Sequence, residues 1–387
     1  MHTPLRILVG SLAGGVLPDA AAEPPAGTVI LDLGADHPSS TGLVELNLWT
    51  EDGVVTTARV VVGAMHRGAE KLFEVRDYRQ IGMLADRHDW QAPFFGELGV
   101  ALVCEQLLGL EVPPRASWLR TLLAEHTRIL SHLGFLTFVT DRLAGAPDLR
   151  PLREELREQT RRLTGNRIHP MVARIGGLIV DADDGWLRAE GALMARVRVA
   201  AERTDAALTG SSASGFGAGV APVDVATVAA FGLGGVLARA SGVDLDLRRT
   251  PSSLAYAELA PLLRPPPVTD GDALSRFRAQ LAEVVDACAL VEACIARLAD
   301  LAGPVEVRLG KIVKLPEGEG YLALESPLGV AGFFVVSRGE KTPWRFKLRT
   351  PSFSNAAALE RVLVGVPVVD LEVALASVGY VVGDIDR

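Results

Sequence analysis

The middle of the chain carries long segments in which apolar residues recur at helical spacing. Such spacing covers residues 91–110, the segment that follows Ser117, and residues 272–301. Runs rich in β-branched residues, typical of strands, lie before and after this central part. Because each long helix must bury an apolar face against another element, we predict an α+β fold. It has a large helical body and β-sheet elements from the N- and C-terminal ends.

Turn-forming residues set the expected divisions of the chain. We predict an N-terminal arm at 1–27, made of a first strand and a Pro/Ala/Gly-rich segment, and one domain at 28–387. A signal peptide cleaved near Ala20–Ala22 is the alternative for the arm. The domain divides into a β-hairpin region (28–62), a helical body (63–302) and a C-terminal β-rich region (303–387). The expected strands are Thr28–Leu33, Leu43–Trp49, Val54–Val62, Val305–Leu309, Gly332–Ser337 and Trp344–Leu348.

Composition excludes several classes of protein. The 387 residues carry a formal net charge of −8, whereas a nucleic-acid surface needs clustered lysine and arginine. No apolar run reaches the roughly 18 residues that suggest a membrane-spanning helix. The three cysteines, Cys104, Cys288 and Cys294, form no C-x-x-C pair, and we expect them to be buried free thiols.

Motifs that would hold a cofactor are missing from the sequence. No G-x-G-x-x-G fingerprint follows a strand, and the Gly/Ser-rich stretch Gly210–Gly219 lacks the Lys-Ser/Thr of a phosphate loop. His126 and His132 are six residues apart, which is a poor spacing for two metal ligands on one helix. We therefore expect this chain to bind no metal and no cofactor by itself.

A series of short motifs, in order along residues 28–387, resembles one family. The motifs are Gly34-Ala-Asp-His-Pro-Ser-Ser-Thr-Gly42, His66-Arg-Gly-Ala-Glu-Lys71, Asp86-Arg-His-Asp-Trp90, Glu111-Val-Pro-Pro-Arg-Ala116, Gly165-Asn-Arg-Ile-His169, Ser241-Gly-Val-Asp-Leu-Asp-Leu-Arg248 and Gly383-Asp-Ile-Asp-Arg387. Together they resemble the quinone-site D subunit of bacterial complex I, the NADH-quinone oxidoreductase, which is homologous to the large subunit of nickel–iron hydrogenases. Hydrogenase activity itself is excluded, because the C-x-x-C motifs that hold nickel and iron are missing and such a soft metal site needs thiolates.

The resemblance implies a hydrogenase-large-subunit-like fold and a peripheral subunit on the cytoplasmic face of a bacterial plasma membrane. In this family the subunit carries no cofactor. It packs against an iron–sulfur subunit that holds the terminal cluster and against a membrane subunit. Quinone enters the crevice between them, and NADH binds other peripheral-arm subunits of the translocase.

Two residues match family positions near the cluster of the iron–sulfur partner. Arg67 would raise the reduction potential of that cluster by its charge, and His169 would exchange a proton with the cluster's redox state. The alternatives are an ordinary buried ion pair for Arg67 and a satisfied core position for His169.

Two other positions depart from the family pattern. Family members donate hydrogen bonds to the quinone from a histidine where this chain has Thr41 and from a tyrosine where it has Trp90. Neither threonine nor tryptophan can deliver a proton near neutral pH. His37 and His88 are close in sequence to the altered positions, and we hypothesise that one of them donates to the quinone instead. An ungapped extension also places Arg142 where the family has the aspartate that orients the missing histidine.

Two functions are open on this sequence. The chain is the quinone-site subunit of an NADH-quinone oxidoreductase, or it is a scaffold paralogue that holds the same position and no longer reduces quinone normally. The motif that starts at His66 and the C-terminal motif favour the first function, and Thr41 and Trp90 favour the second. If the two chain ends pair into one sheet, as the resemblance suggests, Asp384 and Asp386 lie near the crevice.

Overall fold

The computed structural model describes residues 5–9, 28–34, 37–38, 43–210, 215–250 and 254–387. Thr41, most of the predicted arm and the centre of the Gly/Ser-rich stretch lie outside these residues. The described chain is mostly helical with a sheet near each end, so the predicted α+β class is confirmed. The helices are α1 (Ala69–Phe73), α2 (Tyr78–Ala85), α3 (Pro93–Leu108), α4 (Pro114–Thr140), α5 (Arg150–Thr164), α6 (Asp184–Thr209), α7 (Val225–Phe231), α8 (Gly235–Ala240), α9 (Tyr256–Leu259), α10 (Ala273–Asp300), α11 (Pro351–Val362), α12 (Leu371–Ser377) and α13 (Val382–Ile385).

The sheet near the N-terminus has the strand order β2-β1-β3-β4. Its strands are β1 (Leu5–Val9), β2 (Thr28–Leu31), β3 (Val44–Glu51) and β4 (Val54–Val61). Asp52 and Gly53 join β3 to β4, and both have the positive φ angles, 49° and 77°, that a two-residue hairpin turn requires. Strand β2 runs parallel to β1 instead of pairing with β3, so the hairpin predicted in this region consists of β3 and β4.

The long helices α3, α4, α6 and α10 form the helical body. Helix α4 is buried on nearly all sides, which places it at the centre. It begins at Pro114, before the predicted N-cap Ser117, because a proline at the first helical position has no N–H group to satisfy. Helix α10 begins after Asp272, whose carboxylate accepts the N–H of Ser275 at 2.8 Å. None of the described helices combines the length and apolarity needed to cross a membrane.

The second sheet is antiparallel, in the order β7-β8-β9. Its strands are β7 (Gly318–Ser326), β8 (Gly329–Ser337) and β9 (Arg345–Arg349). The predicted strands at 332–337 and 344–348 correspond to β8 and β9. The sequence pattern does not indicate β7, because its glycine, glutamate and alanine residues are uncommon in strands. Helices α11 to α13 follow the sheet, so within the predicted β-rich region the strands end at Arg349.

The predicted strand Val305–Leu309 is wrong. This segment forms a single bridge, between Glu306 and Gly177, beside the short hairpin of β5 (Ala173–Arg174) and β6 (Gly177–Leu178). The N–H of Leu178 donates to the Val305 carbonyl at 2.8 Å. A Cβ atom at position 177 would lie only 2.0 Å from that carbonyl oxygen, so the segment approaches the hairpin more closely than a non-glycine residue allows.

The two chain ends meet without forming one sheet, so that expectation is also wrong. Residues Gly365–Pro367, between α11 and α12, pair instead with the start of β4. The N–H of Gly365 donates to the Val55 carbonyl at 2.7 Å, and the N–H of Val55 donates to the Val366 carbonyl at 3.0 Å. A loop can form these bonds because a strand at the edge of a sheet leaves backbone groups to be paired. The contact brings α13 and the chain end to the loop that follows β4.

Candidate functional site

The C-terminal residues are docked against the loop that follows β4. The Asp386 carboxylate accepts the N–H groups of Gly63 and Met65, both at 2.8 Å. The backbone carbonyl of the same residue lies 2.8 Å from Nδ1 of His66. The chain end is therefore held inside the protein, as its motif predicts, and it fixes the start of the His66-Arg-Gly-Ala-Glu-Lys71 segment.

The docked tail closes one side of a narrow cleft with a cavity volume of about 30 Å³. The other walls come from the turn before α3, from β8 and β9, and from the start of α11. Most lining residues are apolar, and the polar ones are His88, Asp89, Ser326, Arg349, Thr350 and Asp384. A space of this size holds roughly one or two water molecules, so its lining residues can meet only the end of a larger ligand.

Trp90 lies behind the tail and does not line this cleft among the described residues. It packs against a small apolar cluster that contains Phe135 and Val381. Gly383 makes this packing possible, because a Cβ atom there would lie 2.4 Å from the Trp90 ring and 2.6 Å from the His88 carbonyl oxygen. The indole therefore supports the wall of the cleft.

His88 is the buried histidine of the cleft, with 3% of its surface exposed. Its ring meets the edge of Phe73 at a centroid distance of 5.8 Å. By strict hydrogen-bond geometry neither ring nitrogen has a partner among the described residues, but the Gly383 backbone is close enough to act as one and raises the pKa of the ring. Burial lowers the pKa of His88 to about 4, and the charges of Arg67 and Arg387 act in the same direction. At neutral pH the ring is neutral and carries one donor and one acceptor, one of which faces the Gly383 backbone.

Two carboxyl groups, those of Asp89 and Asp384, share the cleft with His88. Asp89 accepts the N–H groups of Gln91 and Ala92 at 3.0 and 3.1 Å, and Asp384 accepts the N–H of Ser352 at 3.1 Å. Burial, together with the charge of Asp384, raises the pKa of Asp89 to about 8. Burial also raises the pKa of Asp384 to about 6, against the lowering effect of Ser352 and Arg387. At neutral pH the two groups together hold about one proton.

His37 lies outside the cleft, in an aromatic environment. Its ring meets Phe135 and Phe138 edge-on at centroid distances of 5.4 and 6.1 Å. Burial lowers the pKa of His37 to about 3, and the charge of Arg142 contributes to this shift. Arg142 stacks 3.7 Å from the centre of the Phe138 ring and pairs with Glu372 at 3.0 Å. His37 and Trp90 thus both lie near Phe135, and neither lines the cleft.

The other predicted residues, His169 and Arg67, do not line the cleft among the described residues. His169 is half-buried, and its Nδ1 lies 3.6 Å from the Asp86 carboxylate. The guanidinium of Arg87 pairs with the same carboxylate. Arg67 is exposed and has no hydrogen bond or ion pair with any described residue, so it is not part of a buried ion pair. Arg87, which the sequence reasoning missed, is therefore the arginine next to His169, and its place in the Asp86–Trp90 motif was the available signal.

The structure thus brings together only part of the predicted site. His88 shares a cleft with two aspartates, one of which, Asp89, was not predicted. His37 and Trp90 meet at a neighbouring aromatic cluster, and Thr41 lies outside the described residues. Within the described ranges no group of three or more His, Cys, Asp or Glu side chains is placed to hold a metal ion.

Comparison with known proteins identifies relatives along the whole chain. The family model of the respiratory-chain NADH dehydrogenase 49 kDa subunit matches residues 149–314 and 309–387. The chain is 47% identical to a D subunit of NADH-quinone oxidoreductase from Streptomyces coelicolor, over 93% of this chain and 95% of that protein. It is 45% identical to a D subunit of the same enzyme from Salinispora tropica, over 99% and 97% of the two chains. A chain from the membrane-bound sulfane sulfur reductase, an archaeal respiratory membrane complex, superposes with a TM-score of 0.82 at 28% identity, covering 89% of this chain and 94% of that one.

Proposed function

The chain belongs to the 49 kDa, or D, subunit family of NADH-quinone oxidoreductase in the peripheral arm of complex I, and we propose that its cleft forms one wall of the chamber in which quinone is reduced. An iron–sulfur subunit and a membrane subunit would supply the other walls, and further peripheral-arm subunits would bind NADH. In this proposal the chain is a peripheral subunit on the cytoplasmic face of the plasma membrane.

The observation that supports this proposal most directly is the state of His88. A buried ring needs a partner for each of its two nitrogens, and the Gly383 backbone supplies at most one, so a ligand or water has to satisfy the other. A quinone carbonyl is an acceptor, and the neutral imidazole offers it one N–H donor. His88 therefore fits the role of quinone donor better than His37, which does not line the cleft. The described geometry gives Trp90 a packing role in place of the family's tyrosine.

The positions of Arg67 and His169 support contact with a redox partner. Arg67 is an exposed cation without a partner among the described residues, which is the state expected of a charge that meets another subunit on assembly. His169 lies beside Asp86 at a half-buried position, from which it could exchange protons with solvent. We assign both residues to the face that receives the iron–sulfur subunit. A cation there would stabilise the reduced cluster and so raise its potential.

The scaffold function has one observation in its favour. Trp90 packs into the cluster around Phe135 instead of lining the cleft. Where family members have a tyrosine that binds quinone, this chain would therefore have a tryptophan that only packs. In that case the chain would still bind its partner subunits. It would lack turnover because no group in the cleft completes the reaction.

Quinone reduction by the assembled complex tests the proposal. The complex that co-purifies with this chain is given a chemical reductant for its terminal cluster, and inhibitor-sensitive reduction of a short-chain quinone is followed. We expect His88→Ala to lower kcat by about 10-fold or more, because the main hydrogen bond to the developing oxyanion is lost, while the cluster is still reduced. Met83→Ala, an exposed position in the preceding helix, is the matched control.

Two results would count against the proposal. Unchanged turnover in His88→Ala would remove His88 from the reaction. A wild-type complex with a reducible cluster and no quinone turnover would support the scaffold function.

A further inference from the structure

We infer that Asp89 and Asp384 are the proton source of the cleft: a carboxyl pair that holds one proton and gives it to the reduced quinone oxygen. This inference rests on the proposed function, because it names the acid of the same cleft. It answers a chemical need that the substituted residues leave open, since Thr41 and Trp90 cannot release a proton near neutral pH.

The two acids reach the cleft from distant parts of the sequence. Asp89 lies in the turn before α3, and Asp384 lies in α13 at the docked chain end. Both line the same cleft as His88. His88 is 3% exposed, and at least one of its ring nitrogens has no partner among the described residues, which is an independent sign that a polar ligand or water binds here.

Neither acid is engaged as a structural ion pair. Among the described residues, Asp89 accepts hydrogen bonds only from backbone N–H groups, and Asp384 is bound by Ser352. No arginine or lysine of the described chain comes within ion-pair distance of either carboxylate. Backbone donors orient the two groups and leave the proton available for transfer.

The charges around the pair come from several elements. Arg387 acts on Asp384 from the end of the tail, and Arg349 lines the cleft from the end of β9. Arg67 and Asp86 act on the neighbouring His88 with opposite signs. The apolar side chains of Phe95, Phe333 and Leu348 make up much of the remaining wall. In such surroundings two ionised carboxylates repel each other strongly, so one shared proton is the favoured state.

The proposed step balances as follows. The quinone receives two electrons from the partner's iron–sulfur cluster, one at a time, and each reduced carbonyl oxygen takes one proton. At the first oxygen an O–H bond forms while the O–H bond of the carboxylic acid breaks, which leaves Asp89 and Asp384 both ionised. The pair then takes a proton back from water and supplies the second oxygen. The product is the hydroquinone, and a further proton from water returns the acid pair to its starting state.

The test uses the intact complex with Asp89→Asn and Asp384→Asn made separately. Asparagine keeps the shape and the acceptor oxygen of aspartate but has no acidic proton. Asp384→Glu restores the acid, and Asp300→Asn, at the exposed end of α10, is the control. Turnover of a short-chain quinone is measured from pH 5 to 9, and electron paramagnetic resonance reports whether the cluster is still reduced.

We expect each asparagine variant to lower kcat by about 10-fold or more, the usual effect of losing a general acid, with KM little changed. The wild-type rate should fall as pH rises through the range in which the pair loses its proton. In Asp384→Asn this fall should move to lower pH, because Asp89 no longer faces a second negative charge. Infrared difference spectra of the full chain at pH 7 should show a protonated carboxyl band that Asp89→Asn removes.

The outcomes separate this inference from the proposed function. If the wild-type complex turns over quinone and both asparagine variants keep its kcat and pH profile, the inference is overturned and the proposed function is not. A loss that is equal at every pH, that Asp384→Glu does not restore, and that leaves the carboxyl band in place would show a structural role and overturn it as well. A wild-type complex without quinone turnover would overturn the proposed function, and the inference would fall with it.

Discussion

The buried ionic cluster between α4, α8 and α10 gives the sharpest stability prediction. Glu283 of α10 accepts bonds from Arg239 Nε at 3.0 Å and Nη2 at 2.5 Å, and it contacts His132 Nε2 at 3.0 Å. Although burial alone would raise it, these partners hold the pKa of Glu283 well below its usual range. Arg239 is also tied to Glu325, which precedes Ser326 in the cleft wall. Removing Glu283 therefore takes from the buried Arg239 one of its two hydrogen-bonded carboxylate partners and leaves it with Glu325.

The expected magnitude follows from burial. Breaking a buried pair by removing one partner costs about 3–5 kcal/mol, since the remaining charge stays desolvated. For a chain of 387 residues, an unfolding entropy of about 2.1 cal/mol/K per residue converts this into a fall in Tm of roughly 4–6 °C. Glu292→Ala is the matched control on the same helix. Glu292 pairs with Arg198, but both side chains are about one-third exposed, so its loss should cost about 1 kcal/mol or less.

Thermal unfolding of the two variants, followed by circular dichroism at pH 7, decides the matter. Glu283→Ala should unfold several degrees below Glu292→Ala, and Glu283→Gln should lie between them, because the amide can still accept one bond. Equal Tm values for the two alanine variants would refute the reasoning. They would show that water or relaxation of the helices satisfies the buried arginines at little cost.

Three further predictions rest on other parts of the fold. Burial lowers the pKa of His37 from 6.5 to about 3. Its contribution to stability is therefore present above pH 6.5 and is lost as pH falls towards 3. Between pH 7 and pH 5 the folded state loses about 2 kcal/mol of stability. The difference in unfolding free energy between wild type and His37→Gln should shift by that amount, and a constant difference would contradict it. Gly177→Ala should lower Tm more than Gly109→Ala. Both glycines have positive φ, but only at Gly177 would the new Cβ meet backbone, 2.0 Å from the Val305 carbonyl oxygen. Similar falls in Tm for the two variants would show that this close approach is not the cause. Burial raises the pKa of Cys104, Cys288 and Cys294. Iodoacetamide should therefore label none of them in the folded chain and all of them in denaturant. Labelling of any of these thiols in the folded chain would contradict the prediction.

Periodicity predicts the long helices well because one buried face is a local property of the sequence. Helix α10 follows its apolar repeats from Asp272 onward, and β8 and β9 follow their β-branched and aromatic residues. Strand β7 could not be predicted in this way, since its place depends on pairing with β8 rather than on its own residues. The strand expected at Val305–Leu309 fails for the same reason, because a few β-branched residues do not supply a neighbouring strand.

The cleft was harder to predict than the fold. Motif matching points to the correct segment, Asp86–Trp90, but it cannot tell which of its residues face the cleft. In the structure Trp90 packs behind the wall of the cleft, whereas His88 and Asp89 line the free space. The fold also brings Asp384, from the far end of the sequence, to the same cleft as Asp89. Such a pair depends on how the tail docks, and single-sequence patterns contain no record of that contact.

The docked tail shows how the surroundings, and not the residue type, determine what each aspartate does. Asp384 and Asp386 are two positions apart on and after α13, yet Asp386 holds the loop at Gly63 and Met65 while Asp384 faces the apolar cleft beside a second acid. The short helix is anchored at both ends, by Asp386 at the loop and by Ser352, which binds Asp384 and the Val381 N–H. Docking of the tail and assembly of the acid pair are therefore one structural event. A chain end that is released from the loop would lose its anchor and open the cleft at the same time.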